Sequence, residues 1–362
     1  MTSILITAGG TGGHVFPALA VARRLREQGM QVSWLGTVAG IEARLVPAAG
    51  FELDTISVQG VRGGGLLRWF FMPLQLQRAF WQALKILRRR RPQAVLAMGG
   101  YASGPGSLMA SLLGIPLLVH EQNAIAGFTN RLLAHFADKL LCGFPAAFGE
   151  RHHVQVVGNP VRAEIVALPA PEARLAGRAG RLRVLVVGGS QGAQVFNDVI
   201  PEALRAMPDS ARPEVWHQTG ERDEARVRES YHAFMPEARV TRFIDDMAAA
   251  YVWADVVVCR SGAMTVAELA AAGVVAVLVP FPHAVDDHQT ANARFLSGRD
   301  AAVLLPQPEF TASALASHLQ HFADHRELLL RMSVAARACA VTDATETVAQ
   351  LCRDAAEGVS HA

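Results

Sequence analysis

One alternation, sustained from end to end, restricts the fold more than any other feature of this chain. Short apolar runs of strand type, "ILITA", "QVSWLG", "AVLAMGG", "IPLLVHEQ", "DKLLCGF" and "VQVVG", are separated by stretches whose apolar residues recur at helical spacing. A second series follows: "RVLVVGGS", "EVWHQTG", "RVTRFID", "DVVVCRSG", "VVAVLVPF" and "AAVLLPQ". Apolar strands taking turns with helices build parallel sheets covered on both faces. The 362 residues suffice for two such bodies, at roughly 150 residues per domain. The pattern therefore predicts an α/β protein of two Rossmann-like, doubly wound domains. Residues 158–180, rich in Pro, Ala and Gly, read as the crossing between them. Ligands of such folds sit beyond the carboxyl ends of the strands, so a cleft between the domains is the expected site. The segment "TDATETVAQLCRDAAEG", opening with the capping types Thr342 and Asp343, predicts a terminal helix.

Three glycine-rich turns closely follow apolar strands: "AGGTGGH" (8–14), "MGGYASGPG" (98–106) and "GGSQGAQ" (188–194). Glycine lets a backbone come close to a ligand, and the N–H groups of a helix start favour an anion there. One such turn is weak evidence; three point to a ligand rich in oxygens. A dinucleotide site is disfavoured, because Val15 occupies the third glycine position of the first turn and the next strand ends in "SWLGT", without an acid for a ribose. No turn carries the lysine of a P-loop. A nucleotide diphosphate held by helix N-termini remains. No Asp-x-Asp pair is present to carry a divalent metal. The group His283, Asp286, Asp287 and His288 reads as a hydrogen-bonded turn rather than a metal site.

Composition narrows the class further. The chain is 51% apolar and 18% charged, and its four cysteines (Cys142, Cys259, Cys339 and Cys352) form no C-x-x-C pair. That usage suits a reducing compartment with no disulfide framework. The N-terminus lacks a basic signal-peptide region, and no uncharged apolar run reaches the ~18 residues of a membrane span, so a soluble protein is expected. Residues 1–162 hold 16 Lys/Arg against 7 Asp/Glu, the remainder 18 against 25. A basic front half and an acidic back half suggest that one domain faces an anionic surface or substrate.

"CRSGAMTVAELAAAG" (259–273) places Thr265 and Glu268 three apart on one face of a helix that follows a buried strand. A carboxylate there can accept both hydroxyls of a ribose diol. A capping role near the helix start is the equal alternative.

These segments together resemble the MurG glycosyltransferases. The resemblance is carried by "GGTGGHVFPALAVA", "GGYASGPG", "HEQNAIAG", "VVGNPVR", "GGSQGA", "FIDDMAAAYVWADVVVCRSGAMTVAE" and "HQTANA", in order from residue 9 to 293. It implies a GT-B fold, with residues 1–162 as the acceptor and membrane-associating domain and residues 163–339 as the donor domain. A last helix within 340–362 would return to the first domain. The implied reaction moves N-acetylglucosamine from UDP-N-acetylglucosamine (UDP-GlcNAc) to the 4-hydroxyl of the N-acetylmuramoyl sugar in undecaprenyl-pyrophosphate-linked lipid I. The anomeric centre inverts, the product is lipid II, and no cofactor or metal is implied. Carried over by position, the donor contacts are Thr11, Gly12, Gly13, Asn123, Arg162, Ser190, Ile244, Ala263, Met264, Thr265, Val266, Ala267, Glu268 and Gln289. Glu268 takes the ribose and Ile244 offers its main chain to the base. Some members carry two glutamines where this chain has His288 and Gln289.

An inverting displacement needs a base for the acceptor hydroxyl. His14 lies beside the glycines at a helix start, where imidazolium is disfavoured and the neutral ring can accept a proton. His14 is the expected base, with Glu121 as rival or partner; Tyr101, Asn130 and Asn197 are further candidates. Lipid I is membrane-anchored, and "LLRWFFMPLQLQRAFWQALKILRRRRP" (66–92) suits an anionic membrane surface. From Pro73 a helix would place Arg78, Trp81, Lys85 and Arg88 on one stripe and Leu76, Phe80, Leu84 and Leu87 on another, toward the core. Trp69 and Phe70, with Phe71 and Met72, would precede it as a wedge. The expected location is the cytoplasmic face of the cell membrane, with no nucleic-acid partner. A UDP-GlcNAc 2-epimerase or a non-catalytic nucleotide-sugar scaffold is the alternative on the same architecture.

Overall fold

The computed structural model describes residues 2–58, 66–145, 147–149, 153–189 and 192–358, without the side chains of 66–72 and 285. The chain divides into two compact units, Met1–Val161 with Val341–Ala362, and Arg162–Ala340.

The first unit is a seven-stranded parallel sheet: β1 (Ser3–Thr7), β2 (Gln31–Thr37), β3 (Glu52–Ile56), β4 (Ala94–Ala97), β5 (Leu117–Glu121), β6 (Lys139–Cys142) and β7 (Val154–Val156). Their order is β3-β2-β1-β4-β5-β6-β7. Successive residues of β1 serve opposite faces. Ile4 and Ile6 pack with Val15, Leu19, Ala22 and Leu25 of the helix Gly12–Glu27, while Leu5 packs with Ala79, Ile86 and Leu87 of the helix Leu66–Arg90. The terminal helix Ala344–Glu357 buries Val348, Ala349 and Cys352 in the first of these clusters. Arg24 and Gln28 both bond Glu346, and the missing Cβ of Gly158 leaves room for Val341.

The second unit holds six parallel strands, β8 (Arg183–Val187), β9 (Glu214–Gln218), β10 (Arg239–Thr241), β11 (Val256–Cys259), β12 (Val275–Leu278) and β13 (Ala302–Leu304). Their order is β10-β9-β8-β11-β12-β13. Val184, Val186, Val256, Val258, Val275 and Val277 share one core with Phe196, Ile200 and Leu204 of the helix Gln194–Ala206. Each sheet reverses its strand order once, between β1 and β4 and between β8 and β11. Crevices for ligands open at such points.

Several elements differ from the sequence reading. β3 has no counterpart among the expected strands, because an edge strand reading Glu-Leu-Asp-Thr-Ile is half polar. Residues 162–180 are no linker. The unit boundary falls at Val161/Arg162, and the helices Ala163–Val166 and Pro171–Leu175 belong to the second unit. Arg174, buried, donates there to the carbonyls of Ala254 and Gly273, and Arg178 pairs with Asp255. The expected strand "RVTRFID" ends at Thr241, leaving Phe243–Asp245 in a loop. The helix expected from Pro73 begins seven residues earlier, at Leu66, with Pro73 inside it. Among the described residues no helix is long and apolar enough to cross a membrane.

Candidate functional site

At the first switch point the turns after β1 and β4 touch. Gly9 N–H donates to the Gly99 carbonyl at 3.3 Å, and a Cβ on Gly100 would lie 2.2 Å from the Gly9 oxygen. The second glycine turn thus supports the first by close packing, which is why Gly100 takes a φ of +91° that a side chain resists. His14, in the first turn of the helix Gly12–Glu27, lays its ring against Gly99: a Cβ there would meet its Cδ2 at 2.8 Å. Its Nδ1 lies 3.2 Å from the Gly9 carbonyl and 3.3 Å from the Thr11 hydroxyl. A carbonyl only accepts, so with the proton on Nδ1 that contact is a hydrogen bond and Nε2 is the basic nitrogen. Thr11 and Gly13 are exposed, and Gly12 half-buried, at the same helix start. Tyr101, in the turn after β4, is half exposed.

Glu121 ends β5 and is 2% exposed. Its Oε1 accepts from the Asn123 main chain and side chain at 2.9 and 3.0 Å; its Oε2 accepts from Gly127 N–H at 3.1 Å and Asn130 Nδ2 at 2.8 Å. All four lone-pair positions are engaged. Glu121 therefore organises the loop 122–127, with Asn130 and Asn123 as its partners, and its geometry is that of a scaffold rather than of a proton acceptor. Sequence reasoning missed Glu42, which lies under the turn after β1.

At the second switch point a cavity of about 620 Å³ opens beside the start of the helix Gln194–Ala206. Gly188, Gly192, Arg260, Phe281 and Gln289 are among its walls. Arg260 stacks over Phe196 and Phe281 and donates to Gln307. Gln289 is held by Phe281 N–H on its side-chain oxygen, at 2.9 Å, and by the Ser261 hydroxyl on its carbonyl, at 2.8 Å. Just before it, Asp286 and Asp287 both adopt a left-handed backbone (φ +52°), a strained conformation that clusters at ligand sites. Ser190 lies outside the described residues.

The helix Ala263–Ala272 starts at the end of β11. Its cap residue, Gly262, offers no side chain, and Glu268 does not serve as one. Glu268 instead accepts from Arg162 at 3.0 Å and from the Tyr251 hydroxyl at 3.2 Å. Burial pushes its carboxyl above the usual carboxylate range, against the opposing pull of Arg162. Burial works against the Arg162 charge too, but the Glu268 carboxylate more than offsets it. The capping alternative is thereby set aside. Ala263 and Val266 are buried, Met264, Thr265 and Ala267 half-buried, and Ile244 is a buried loop residue.

Asn197 is not brought to this site. Its amide is spent in a buried network, donating to the Thr219 carbonyl and Asp223 and meeting His217 Nε2 at 3.1 Å. Burial holds His217 neutral, down to about 3. Among the described residues no three His, Cys, Asp or Glu side chains gather as a metal site. Burial pushes the thiols of Cys142, Cys259 and Cys352 up, to about 11, 12 and 12.

On the helix Leu66–Arg90, Ala79, Ala83, Ile86 and Leu87 face the core, with Leu76, Phe80 and Leu84 half-buried beside them. Arg78, Trp81, Lys85 and Arg88 are exposed, Trp81 to 58%, with the Lys85 ammonium 4.5 Å from its ring centre. The side chains of Trp69 and Phe70 lie outside the described residues.

Known proteins align with this arrangement from end to end. Residues 4–142 match the glycosyltransferase family 28 N-terminal domain, and residues 183–348 its C-terminal domain. A UDP-N-acetylglucosamine--N-acetylmuramyl-(pentapeptide) pyrophosphoryl-undecaprenol N-acetylglucosamine transferase from Ralstonia nicotianae is 54% identical over 98% of this chain and 96% of its own. One of the same name from Alkalilimnicola ehrlichii is also 54% identical, over 98% and 99%. The crystal structure of Acinetobacter baumannii MurG superposes with a TM-score of 0.86 at 40% identity, covering 98% of this chain and 100% of that one. A UDP-GlcNAc 2-epimerase from Neisseria meningitidis reaches 0.67 at 10% identity, a likeness of fold alone. Two parallel Rossmann-like sheets with these relatives make the fold GT-B, and the chain belongs to glycosyltransferase family 28, within its MurG group.

Proposed function

We propose that this chain is the inverting transferase that moves N-acetylglucosamine from UDP-GlcNAc to the 4-hydroxyl of the N-acetylmuramoyl sugar in lipid I, yielding lipid II. The observation that carries this reading is full-length similarity to enzymes named for that transfer, with a chemically apt group at each switch point. Glu268, steadied by Arg162, accepts the ribose hydroxyls, and the main chain at Ile244 meets the base. The start of the helix Gln194–Ala206 receives the diphosphate, whose charge grows as the bond to the sugar breaks. Gln289 holds the transferred sugar. His14 Nε2 takes the proton from the acceptor 4-hydroxyl as that oxygen attacks the anomeric carbon, and UDP leaves from the opposite face.

The donor is bound by the second unit and the acceptor by the first, which also approaches the cytoplasmic face of an anionic membrane. Exposed Trp81 among Arg78, Lys85 and Arg88 supports that approach, as do Leu74, exposed on the same helix, and Leu112 and Leu113, exposed at the end of the neighbouring helix Ser103–Leu112. Apolar insertion combined with basic attraction suffices for reversible binding.

The test is purified protein with UDP-GlcNAc and lipid I in detergent and EDTA, following UDP release and sugar transfer together. We expect stoichiometric, acceptor-dependent transfer that chelation leaves intact. Donor binding without acceptor-dependent UDP release would overturn the reading in favour of a scaffold, and UDP-GlcNAc turnover without lipid would favour an epimerase.

A further inference from the structure

Glu42 opens the short helix Glu42–Ala48 and is fully buried. Three glycines from two different loops and a strand make room for it. A Cβ on Gly9 would meet its carboxylate at 2.5 Å, one on Gly40 at 2.1 Å, and one on Gly36 its Cγ at 2.7 Å. Among the described residues no arginine, lysine or histidine pairs with it. Burying a carboxylate without a cation is costly, so the donors it does have are informative. Thr37 gives Oε1 its N–H at 2.9 Å and its hydroxyl at 2.7 Å, and Gly10 gives Oε2 its N–H at 2.9 Å.

The Gly10 N–H and the Gly9 carbonyl belong to one peptide group, and in a trans peptide they point opposite ways. Glu42 grips that group by its N–H. His14 Nδ1 meets the same group at its carbonyl, at 3.2 Å. A charged acceptor on an amide N–H polarises the amide and makes its oxygen a stronger acceptor. Carboxylate, peptide and imidazole thus form a line in which one planar peptide stands between the acid and the base.

We propose that Glu42 is a positioning residue for His14, fixing the imidazole in the Nδ1–H form through the Gly9–Gly10 peptide so that Nε2 faces the acceptor as a base. The inference rests on the reading of His14 as the base. It also gives the first glycine turn a purpose besides anion binding: Gly9 is small so that the carboxylate can reach the Gly9–Gly10 peptide.

Glu42→Gln keeps the shape but turns one acceptor into a donor that faces an N–H. With purified full-length protein we expect kcat to fall about tenfold to a hundredfold, a share of the ~10²–10⁴ that a positioned base contributes, with the donor KM within threefold. In a double-mutant cycle, Glu42→Gln added to His14→Ala should cost nothing further. A slow His14→Ala variant that Glu42→Gln slows again in full would overturn the positioning role and leave the base reading standing. A His14→Ala variant as fast as the parent would overturn the base reading itself, and this inference with it. If Glu42→Gln does not fold, the unmodified protein decides by ¹⁵N NMR of labelled histidines, the His14 signal being assigned by its loss in His14→Ala. An Nδ1–H tautomer is expected. An Nε2–H tautomer, with the Thr11 hydroxyl donating to Nδ1 across 3.3 Å, would overturn the inference.

Discussion

The turns after β1 and β8 are alike in sequence and differ in what packs around them. In "AGGTGGH" Gly9 is closed on Glu42 and its carbonyl on Gly100 of the neighbouring turn, while a Cβ on Gly10 would meet nothing among the described residues. In "GGSQGAQ" Gly188 and Gly192 also pack closely, against Ala193 and Thr219, yet Gly189 has nothing within 4 Å among the described residues and the turn borders a cavity of about 620 Å³. One turn packs on a buried glutamate and touches an imidazole; the other borders an open cavity. A Rossmann-like switch point offers both possibilities, and the residues packed beneath the turn decide between them. Buried Glu42 does so in the first unit, and Arg260 over Phe196 and Phe281 borders the open cavity in the second.

If that contrast is right, glycine substitutions should separate the two turns. Gly100→Ala pushes a methyl against a main-chain oxygen at 2.2 Å and forces a left-handed backbone. We expect at least a hundredfold loss of kcat, since displacing a base forfeits the ~10²–10⁴ it supplies, together with a clear fall in Tm. Gly189→Ala meets no atom of the described residues and carries the strain of its φ of +87°, about 1–2 kcal/mol. It should lower Tm by a few degrees and change kcat far less. Equal losses of kcat in the two variants would break the comparison.

A smaller effect tests the second unit alone. Replacing Glu268 by Gln weakens an ionic acceptor for hydroxyls, a loss of about 1.5–3 kcal/mol, so calorimetry should show donor affinity reduced roughly tenfold or more. The pH dependence has a definite sign. Because burial raises the Glu268 pKa in the free protein, its carboxylate protonates before an ordinary glutamate as pH falls, and a protonated acid is a poorer acceptor for the ribose. Donor affinity should therefore decline on the acid side at a pH above the ordinary ~4.3. Glu268→Gln should abolish that limb; its survival would assign the limb elsewhere.

The smallest effect belongs to the surface. Trp81→Ser with Lys85→Ser should reduce binding to vesicles of anionic phospholipid severalfold, at about 1 kcal/mol for each basic residue near the surface plus the lost ring. Turnover of a short-chain, detergent-soluble lipid I analogue should stay within twofold. Unchanged vesicle binding would count against this helix as the membrane contact.

Much of this arrangement is legible in the sequence, for reasons that are local. β8, β11 and β12 are buried on both faces and read as valine runs, and the turns behind them are marked by glycine. Glu268 is legible as a carboxylate on a helix near a strand end, although its partner Arg162 lies 106 residues away and only the fold brings them together. Glu42 is not legible. In "AGIEARL" it reads as a surface glutamate of a short helix, and only the parallel register of β1 with β2 brings Gly9, Gly36 and Gly40 around it. Their spacing around one acid was the available signal, and it spans three separate elements. Glu121 differs again: the sequence names it as rival or partner to His14, and only the fold shows its oxygens held by the Asn123, Gly127 and Asn130 donors.

The most direct test of the division between the units is a single-turnover measurement on His14→Ala, with transfer to lipid I and the dissociation constant of UDP-GlcNAc determined on the same preparation. We expect transfer to slow by at least a hundredfold while the donor constant stays within twofold. Transfer within threefold of the unsubstituted protein, or a loss that appears equally in donor affinity, would contradict a first unit that supplies the base and a second that binds the donor.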